Sequence, residues 1–239
     1  MKTSDSIAPR SVRFIPDGEG RDFVFENDWD TCIPVSFEDA PDGSLVVTCF
    51  PELTQLLRPH FLRCADDPFS GAALQALWAM LAPFLAGWGY ADDRFRDRWG
   101  YILRLTPEMP VCGFPDERIR PLDIADEDIN RTTFDLASSA EAGLVAYGAQ
   151  EEGKIVSVAI THTPPDEADV VEVGVETIPA ARRKGLAAAS LAALSAALLR
   201  QGHTVEYRCQ RYNRASRKTA QRVGFSDCGR YYFYVCRKC

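Results

Sequence analysis

The sequence predicts an α/β (α+β) fold in which helices flank a mixed central sheet, with an additional N-terminal α/β region. The main observation is the order of patterns after residue 117, where strand-like and helix-like stretches alternate as β-α-β-β-β-α-β-α-β. Residues 1–112 hold shorter runs of both kinds, and "TPEMPVCGFPDE" (106–117), with three prolines and one glycine, is typical of a linker. We therefore expect two parts, residues 1–112 and 113–239.

The N-terminal part combines strand-like and helix-like patterns. "SLVVTCF" (44–50) and "WGYILRL" (99–105) are typical of strands, and "ELTQLLRPHFLRC" (52–64) of a helix. The apolar stretch 68–91 is about long enough to cross a membrane, but it contains a glutamine and an internal proline. We expect a buried core helix there, and no membrane anchor.

The C-terminal part has a more regular rhythm. A hairpin is predicted to turn at Glu151-Glu152-Gly153, and the acidic loop "PPDEAD" (164–169) leads from it into the next strand. The predicted elements are strand 118–123, helix 124–136, hairpin 143–163, strand 170–177, a helix from about 182 to 201, strand 204–210, helix 213–224 and strand 231–235.

Composition and cysteine content are those of an ordinary globular protein. Of the 239 residues, 46% are hydrophobic, which is enough for a large core. The N-terminus lacks the apolar segment of a secretory signal, which predicts a cytoplasmic protein with its eight cysteines as free thiols. Cys236 and Cys239 form a C-x-x-C pair without a second pair at zinc-finger spacing, so we expect no metal.

Charge is distributed unevenly along the chain. From Thr177 to the end, thirteen Lys and Arg residues stand against two acidic ones, a net charge of about +11. Because the whole chain carries −7, residues 1–176 carry about −18. The basic segment favours a polyanion, either a nucleic acid or a phosphorylated cofactor, and the acidic segment favours cationic molecules.

The stretch "VEVGVETIPAARRKGLAAAS" (171–190) predicts an anion site. Pro179 ends a strand, and the free N–H groups of the following helix's first turn would attract a negative charge. Gly185 would allow close backbone approach to a diphosphate, and Ala187 keeps the next position small. Three adjacent cations, Arg182 to Lys184, add positive charge at the same place.

Two motifs in this order carry a family resemblance. Arg182-x-x-Gly185-x-Ala187 resembles the pyrophosphate loop of the GNAT superfamily of N-acetyltransferases. "NRASRKTAQRVGF" (213–225) is similar to that family's second signature, an Asn, a small residue three positions on, and a closing Gly-Phe. The resemblance covers roughly residues 117–239, and the second motif is also similar to the ZmaR-like branch, whose members carry an extra N-terminal region.

The resemblance implies an acetyl-CoA site without a metal. Strands 170–177 and 204–209 are expected to splay apart and admit the pantetheine arm, and a strand N–H near Val175 is expected to stabilise the oxyanion. The expected cofactor-binding residues are Val175, Glu176, Thr177, Arg182, Arg183, Lys184, Gly185, Leu186, Ala187, Asn213 and Ser216.

The chemistry needs a group that takes a proton from the acceptor ammonium. Glu172 is the first candidate and Glu176 the second, with a solvated strand carboxylate as the alternative for each. Many family members place a Tyr, the general acid, where this chain has Ala220, so Tyr212, Ser216 or water is expected to protonate the thiolate.

Two further side chains are candidates for the same chemistry. Cys209 could carry the acyl group, although buried packing is the better interpretation. His162 is a weaker candidate at the end of the hairpin, while His60 and His203 are interpreted as structural.

The function predicted from these residues is direct transfer of an acetyl group from acetyl-CoA to a primary amine in a ternary complex. The N-terminal part would form part of the acceptor site or a lid, and the acidic segment favours a cationic small-molecule acceptor. Neither motif requires a nucleic acid, and no membrane partner is expected. The alternatives are a non-catalytic acyl-CoA-binding module, favoured by Ala220, and a nucleic-acid-binding protein that uses the basic stripe 208–222.

Overall fold

The computed structural model describes residues 10–16, 31–92, 98–124 and 136–238. The chain forms two compact units, one of residues Met1–Gly100 with Gly229–Cys239 and the other of Tyr101–Cys228. The strands are β1 (Val12–Pro16), β2 (Thr31–Asp39), β3 (Leu45–Cys49), β4 (Tyr90–Asp92), β5 (Arg98–Leu105), β6 (Ile119–Leu122), β7 (Ala146–Glu151), β8 (Lys154–Thr161), β9 (Val170–Thr177), β10 (Thr204–Gln210) and β11 (Ser226–Lys238). The helices are α1 (Thr54–Cys64), α2 (Gly71–Gly87), α3 (Leu136–Glu141), α4 (Leu186–Arg200) and α5 (Arg214–Val223).

The first unit packs two helices on a small sheet. Its strand order is β1-β3-β2-β11, with β4 paired to β11, and only β1 and β3 run parallel among the pairs described.

Phe37 lies at the centre of the core, where its ring stacks on Tyr232 and meets Phe61 and Phe69, all at centroid distances of 5.0 Å. The indole N–H of Trp78 donates to the Tyr232 hydroxyl over 2.7 Å. An aromatic cluster therefore fixes the C-terminal strand in this unit.

Helix α2 is the core helix that the sequence predicts. Ser70 caps it, because its hydroxyl accepts from the backbone N–H of Ala73. One stripe of the helix is buried, at Ala73, Leu74, Leu77, Leu81 and Leu85. No helix within the described residues is long and apolar enough to cross a membrane.

The second unit is built on a six-strand sheet of order β5-β10-β9-β8-β7-β6. Strands β6 to β9 pair antiparallel in sequence, and β9 and β10 pair parallel. Helix α4 connects these two parallel strands along the chain. Most of its alanine-rich sequence is buried against the sheet. The α/β (α+β) fold class with a mixed sheet is thus confirmed.

Most predicted elements of the second unit have their expected bounds. The hairpin turns at Glu152 and Gly153, which have φ of 52° and 74°. Helix α4 begins at Leu186 and not near Arg182, because a 3₁₀ turn at Pro179–Ala181 is followed by two residues with positive φ, Arg183 and Gly185. Of the predicted helix 124–136, residues 125–135 lie outside the described residues. The division at residue 112 and the role of residues 1–112 stay predictions.

Gly148 in β7 provides a test of packing in this sheet. A Cβ at this position would collide with the carbonyl oxygen of Ser157 and lie 2.9 Å from Cδ1 of Leu122. We expect Gly148→Ala to destabilise the protein by about 1–3 kcal/mol, because a rigid neighbouring strand has to move. Urea unfolding measures this change. Gly113→Ala is the matched control, since nothing lies within 4 Å of a Cβ there, and equal stability of the two variants would contradict the described packing.

Candidate functional site

The second unit contains a gap between its two parallel strands. β9 and β10 are paired over four residue pairs, from Val170↔Thr204 to Val173↔Tyr207. Both strands continue beyond this point, β9 to Thr177 and β10 to Gln210, without pairing with each other in the described residues. The gap therefore opens at the carboxyl ends of adjacent parallel strands, the place where ligands bind in α/β sheets.

Backbone groups of β9 face this gap at alternate residues. The N–H groups of His162 and Ile178 donate to Glu172 and Val156 across the β8–β9 pair, over 2.8 and 3.0 Å. Even-numbered residues of β9 therefore direct their N–H and C=O groups to β8, and odd-numbered residues direct theirs to the β10 side. The amide of Val175 consequently points into the gap, and that of Glu176 points to β8.

Thr177 closes this strand with several polar contacts. Its carbonyl oxygen accepts a hydrogen bond from Nε of Arg182 over 3.0 Å. Its hydroxyl lies 2.8 Å from that of Ser157, which in turn lies 3.4 Å from the hydroxyl of Ser190 in α4. All three hydroxyls are buried. This network joins the end of β9 to α4 and fixes the loop between them.

That loop ends in an open helix N-terminus. Gly185 is the N-cap of the 15-residue α4, with φ of 86°, and no side chain caps the helix. A Cβ on Gly185 would meet nothing within 4 Å, so the space in front of the helix is open. Leu186 is buried and anchors the first turn, while Arg182, Arg183 and Lys184 are exposed. Free N–H groups, the helix dipole and three cations together make this helix start electrostatically favourable for an anion.

The second motif contributes the start of α5. Oδ1 of Asn213 accepts from the N–H of Ser216 over 3.0 Å and so caps this helix. The Ser216 hydroxyl lies 2.7 Å from the hydroxyl of Tyr207, whose pKa is raised by burial. Tyr212 is exposed, and its hydroxyl contacts Arg211. Ser216 is thus brought together with Tyr207, a phenol that the sequence did not single out.

Ala220 faces the protein interior. It is fully buried in the core of this unit beside Val223 and Phe225. A phenol at this position would therefore have to displace core side chains.

Glu172 stands at the end of the paired segment, within a chain of charges. It lies directly opposite Glu206, and like charges at such positions repel. Arg208 relieves this repulsion, because its Nε lies 2.7 Å from Oε1 of Glu206 and 3.4 Å from Oε2 of Glu172. Arg104 holds the other oxygen of the buried Glu206 over 2.6 Å.

The other oxygen of Glu172 contacts a histidine. Oε1 lies 3.2 Å from Nδ1 of His162. Burial raises the pKa of Glu172, but the hydrogen bond from His162 and the charge of Arg208 outweigh it, so the pKa lies below its usual value. Glu172 is therefore an ionised carboxylate at neutral pH, with a neighbour at each oxygen.

Both His162 and Glu172 are candidates from the sequence, but the contact between them was not predicted. The two residues are opposite each other across β8 and β9, because the connection between the strands is centred on residue 167. A hairpin register centred on residue 167, within the acidic loop 164–169, would have placed them together. Glu176 lies on the same face of β9 but is exposed, four residues from Glu172.

Cys209 is a buried thiol at the end of β10. Burial raises its pKa to about 11, so only about one thousandth of it is thiolate at pH 8. It packs with the core cluster of this unit. The described residues contain no group of three or more side chains that could hold a metal ion.

A comparison with protein families places the second unit among known sequences. The sequence model of the GNAT acetyltransferase family matches residues 139–234, which include β9, the loop before α4, β10 and α5. Residues 139–234 thus match a GNAT acetyltransferase domain. This match indicates an N-acetyltransferase enzyme, and acetyl-CoA is the acyl donor of this family. The predicted GNAT resemblance is confirmed, and the ZmaR-like branch stays a prediction.

Several solved structures are similar to this chain at low sequence identity. A Drosophila protein superposes with a TM-score of 0.50 at 16% identity, over 70% of this chain and 58% of its own. A GNAT-family acetyltransferase from Novosphingobium aromaticivorans gives 0.48 at 20% identity, over 63% and 68%. The aminoglycoside N-acetyltransferase AAC(6')-Iy, solved in complex with CoA, gives 0.34 at 23% identity, over 46% and 92%. None of the curated proteins compared with the chain matches it.

Thiol alkylation tests the environment of Cys209. We expect iodoacetamide at pH 8 to leave Cys209 unmodified in the folded protein while it labels the exposed Cys112, which serves as the internal control. Peptide mass spectrometry measures both sites. Rapid labelling of Cys209 would show that its thiol is accessible and acidic, contrary to its burial.

Proposed function

We propose that the protein transfers an acetyl group from acetyl-CoA to a primary amine, directly within a ternary complex. The observation that carries the proposal is the position of the α4 N-terminus directly after the unpaired end of β9. The gap can take an extended arm, and the helix can take the diphosphate to which that arm is attached. Two binding features of coenzyme A are thus found in succession along one strand–helix connection.

In this proposal the pantetheine arm lies along the open side of β9. The backbone groups of Val175 and Thr177 face that side, and Val175 offers both its N–H and its C=O. The diphosphate lies at the N–H groups of Gly185, Leu186 and Ala187. Arg183 and Lys184 add charge around it, while Arg182 holds the strand end through the Thr177 carbonyl.

The remaining residues act at the thioester end. The N–H of Val175 stabilises the oxyanion, and Glu172 and Glu176 provide the negative charge needed where the ammonium loses its proton. Asn213 keeps α5 in place as its cap, and the Ser216 hydroxyl is the donor for the departing CoA thiolate. Tyr212, exposed beside α5, is the second candidate for that role.

The reaction balances without a further reactant. The amine nitrogen forms a bond to the thioester carbon, and the C–S bond breaks. Of the three ammonium protons, one stays on the amide, one goes to the CoA thiol, and one is released through the protein. A metal ion has no part in these steps.

The acceptor is proposed to be a cationic small molecule. Residues 1–176 carry a net charge of about −18, which attracts cations over several ångströms of solvent. Several arginines of the basic stripe are engaged within the protein. Arg217 binds Asp227 and stacks over Tyr101 at 3.6 Å, and Arg222 stacks over Phe114 at 5.3 Å. This arrangement favours an amine acceptor over a nucleic acid.

The anion site is tested by a pair of glycine variants. We expect Gly185→Leu to weaken acetyl-CoA binding at least about tenfold, because its side chain would enter the open space in front of α4. The substitution also strains a residue with φ of 86°, at a cost of about 1–2 kcal/mol. Titration calorimetry measures the affinity, and thermal unfolding measures the strain.

Gly202→Leu is the matched control for strain. Gly202 follows the other end of α4, has φ of 91° and is equally open. It should lower the melting temperature as much as Gly185→Leu and leave acetyl-CoA affinity unchanged. Equal affinity in the two variants would overturn the loop assignment.

The catalytic strand is tested by Glu172→Gln. We expect at least about a tenfold loss of kcat, since the carboxylate is lost, with acetyl-CoA affinity within about twofold of the original. Thiol release is followed with spermidine, kanamycin, L-lysine and a peptide with a free N-terminus. The original protein could also bind acetyl-CoA and release no CoA thiol with any of these amines. That result would favour the non-catalytic acyl-CoA-binding module, the alternative that Ala220 suggests.

A further inference from the structure

His162 and Glu172 form a pair on the face of β9 opposite α4. They face each other across the end of the β8–β9 ladder, with Nδ1 of His162 at 3.2 Å from Oε1 of Glu172. We propose that His162 is the catalytic base that takes the proton from the acceptor ammonium, and that Glu172 is its positioning residue. This inference rests on the proposed acetyl transfer and assigns the proton transfer to a different atom, Nε2 of His162.

The carboxylate determines which ring nitrogen is basic. An ionised Glu172 can only accept a hydrogen bond, so Nδ1 of the neutral imidazole has to carry its proton. Nε2 is then left with a free lone pair. Both oxygens of Glu172 already have neighbours, because Arg208 lies 3.4 Å from Oε2. The imidazole is therefore better placed than the carboxylate to meet an incoming ammonium.

Nε2 also lies next to the gap. A Cβ built on Gly174 would lie 2.6 Å from Nε2 and 3.1 Å from Cε1, so the ring rests directly over this glycine. Gly174 precedes Val175, whose backbone faces the gap. The His162 side chain remains 51% exposed, so a substrate can reach the imidazole ring. A glycine in mid-strand, otherwise unfavourable, thus makes room for the imidazole.

The surrounding charges suit a base that becomes positive. Glu172 contacts the ring itself, and Glu176 lies further along the same face of β9. On β10, Arg208 and Glu206 both face Glu172. Because Arg208 also contacts Glu206, part of its positive charge is neutralised there. When Nε2 takes a proton, the imidazolium is stabilised by the Glu172 carboxylate at Nδ1.

Each proton has a defined path. The ammonium gives one proton to Nε2, and the resulting neutral amine attacks the thioester carbon. The nitrogen–carbon bond forms, the carbon–sulfur bond breaks, and the second proton goes to the CoA thiolate. Release of the Nε2 proton to solvent restores the imidazole.

Substitution of His162 tests the assignment. We expect His162→Asn to lower kcat with the amine that the original protein acetylates by about 10²–10⁴-fold, with acetyl-CoA affinity unchanged. His203→Asn is the matched control, because His203 contacts the carbonyl oxygen of Ala168 at the other end of β9 and should leave kcat unchanged. Full turnover in His162→Asn would overturn the role of His162 and leave the acetyltransferase proposal intact.

The pH dependence separates a catalytic from a structural role. On the acidic side of the pH profile, log(kcat/KM) of the original protein should fall by one unit per pH unit, because one group takes up a proton. In Glu172→Gln this acidic limb should move to lower pH, because the imidazolium loses its partner carboxylate. An unchanged limb in Glu172→Gln would show that Glu172 does not act through His162.

Gly174→Ala displaces the imidazole without changing either member of the pair. We expect it to lower kcat at least about tenfold with the melting temperature preserved, since the neighbour that must move is an exposed side chain. Imidazole ¹⁵N NMR of the resting original protein should show His162 with its proton on Nδ1, and a proton on Nε2 would overturn the pair. Acetyl-CoA binding with no thiol release from any amine would instead overturn the proposed function, and this assignment with it.

Discussion

The early end of pairing between β9 and β10 is the constraint on which the whole site depends. Four residue pairs hold the strands together, and beyond Val173 and Tyr207 the facing edges of the two strands are not paired with each other. An open backbone edge needs hydrogen-bond partners, and in a buried sheet it would be costly. A ligand arm that pairs with Val175 and Thr177 would supply those partners. The gap is thus a structural irregularity, and it is the proposed acyl-donor site.

The helices that follow the two strands complete the same arrangement. α4 begins nine residues after Thr177 and α5 begins four residues after Gln210, so both N-termini lie just beyond the carboxyl ends of their strands. The hydroxyls of Ser157, Thr177 and Ser190 tie β8, β9 and α4 together below the gap. The charges on the other face are held by Glu206, which binds Arg104 and Arg208. In the proposed function, the donor therefore binds at the open edge of β9, and proton transfer takes place on the face of the same strand that carries Glu172.

Local sequence patterns predicted much of the fold and the open helix start at Gly185. Pro179, Gly185 and the alanine run after it are each explained within a few residues, since a proline ends a ladder and a glycine accepts positive φ. The start of α4 was wrong by about four residues because Arg183 also has positive φ, which side chains rarely adopt. Local patterns of this kind do not predict tertiary contacts. The pairing of Tyr207 with Ser216, and of His162 with Glu172, depends on strand register and not on composition.

Hydrogen exchange with and without acetyl-CoA tests the central claim most directly. If the donor lies along β9 and on α4, peptides covering residues 174–177 and 183–187 should exchange more slowly in its presence. Peptides covering β3 (Leu45–Cys49), in the other unit, serve as the reference and should not change. Protection of both segments is the predicted result. Tight binding of acetyl-CoA without protection at either segment would contradict the account.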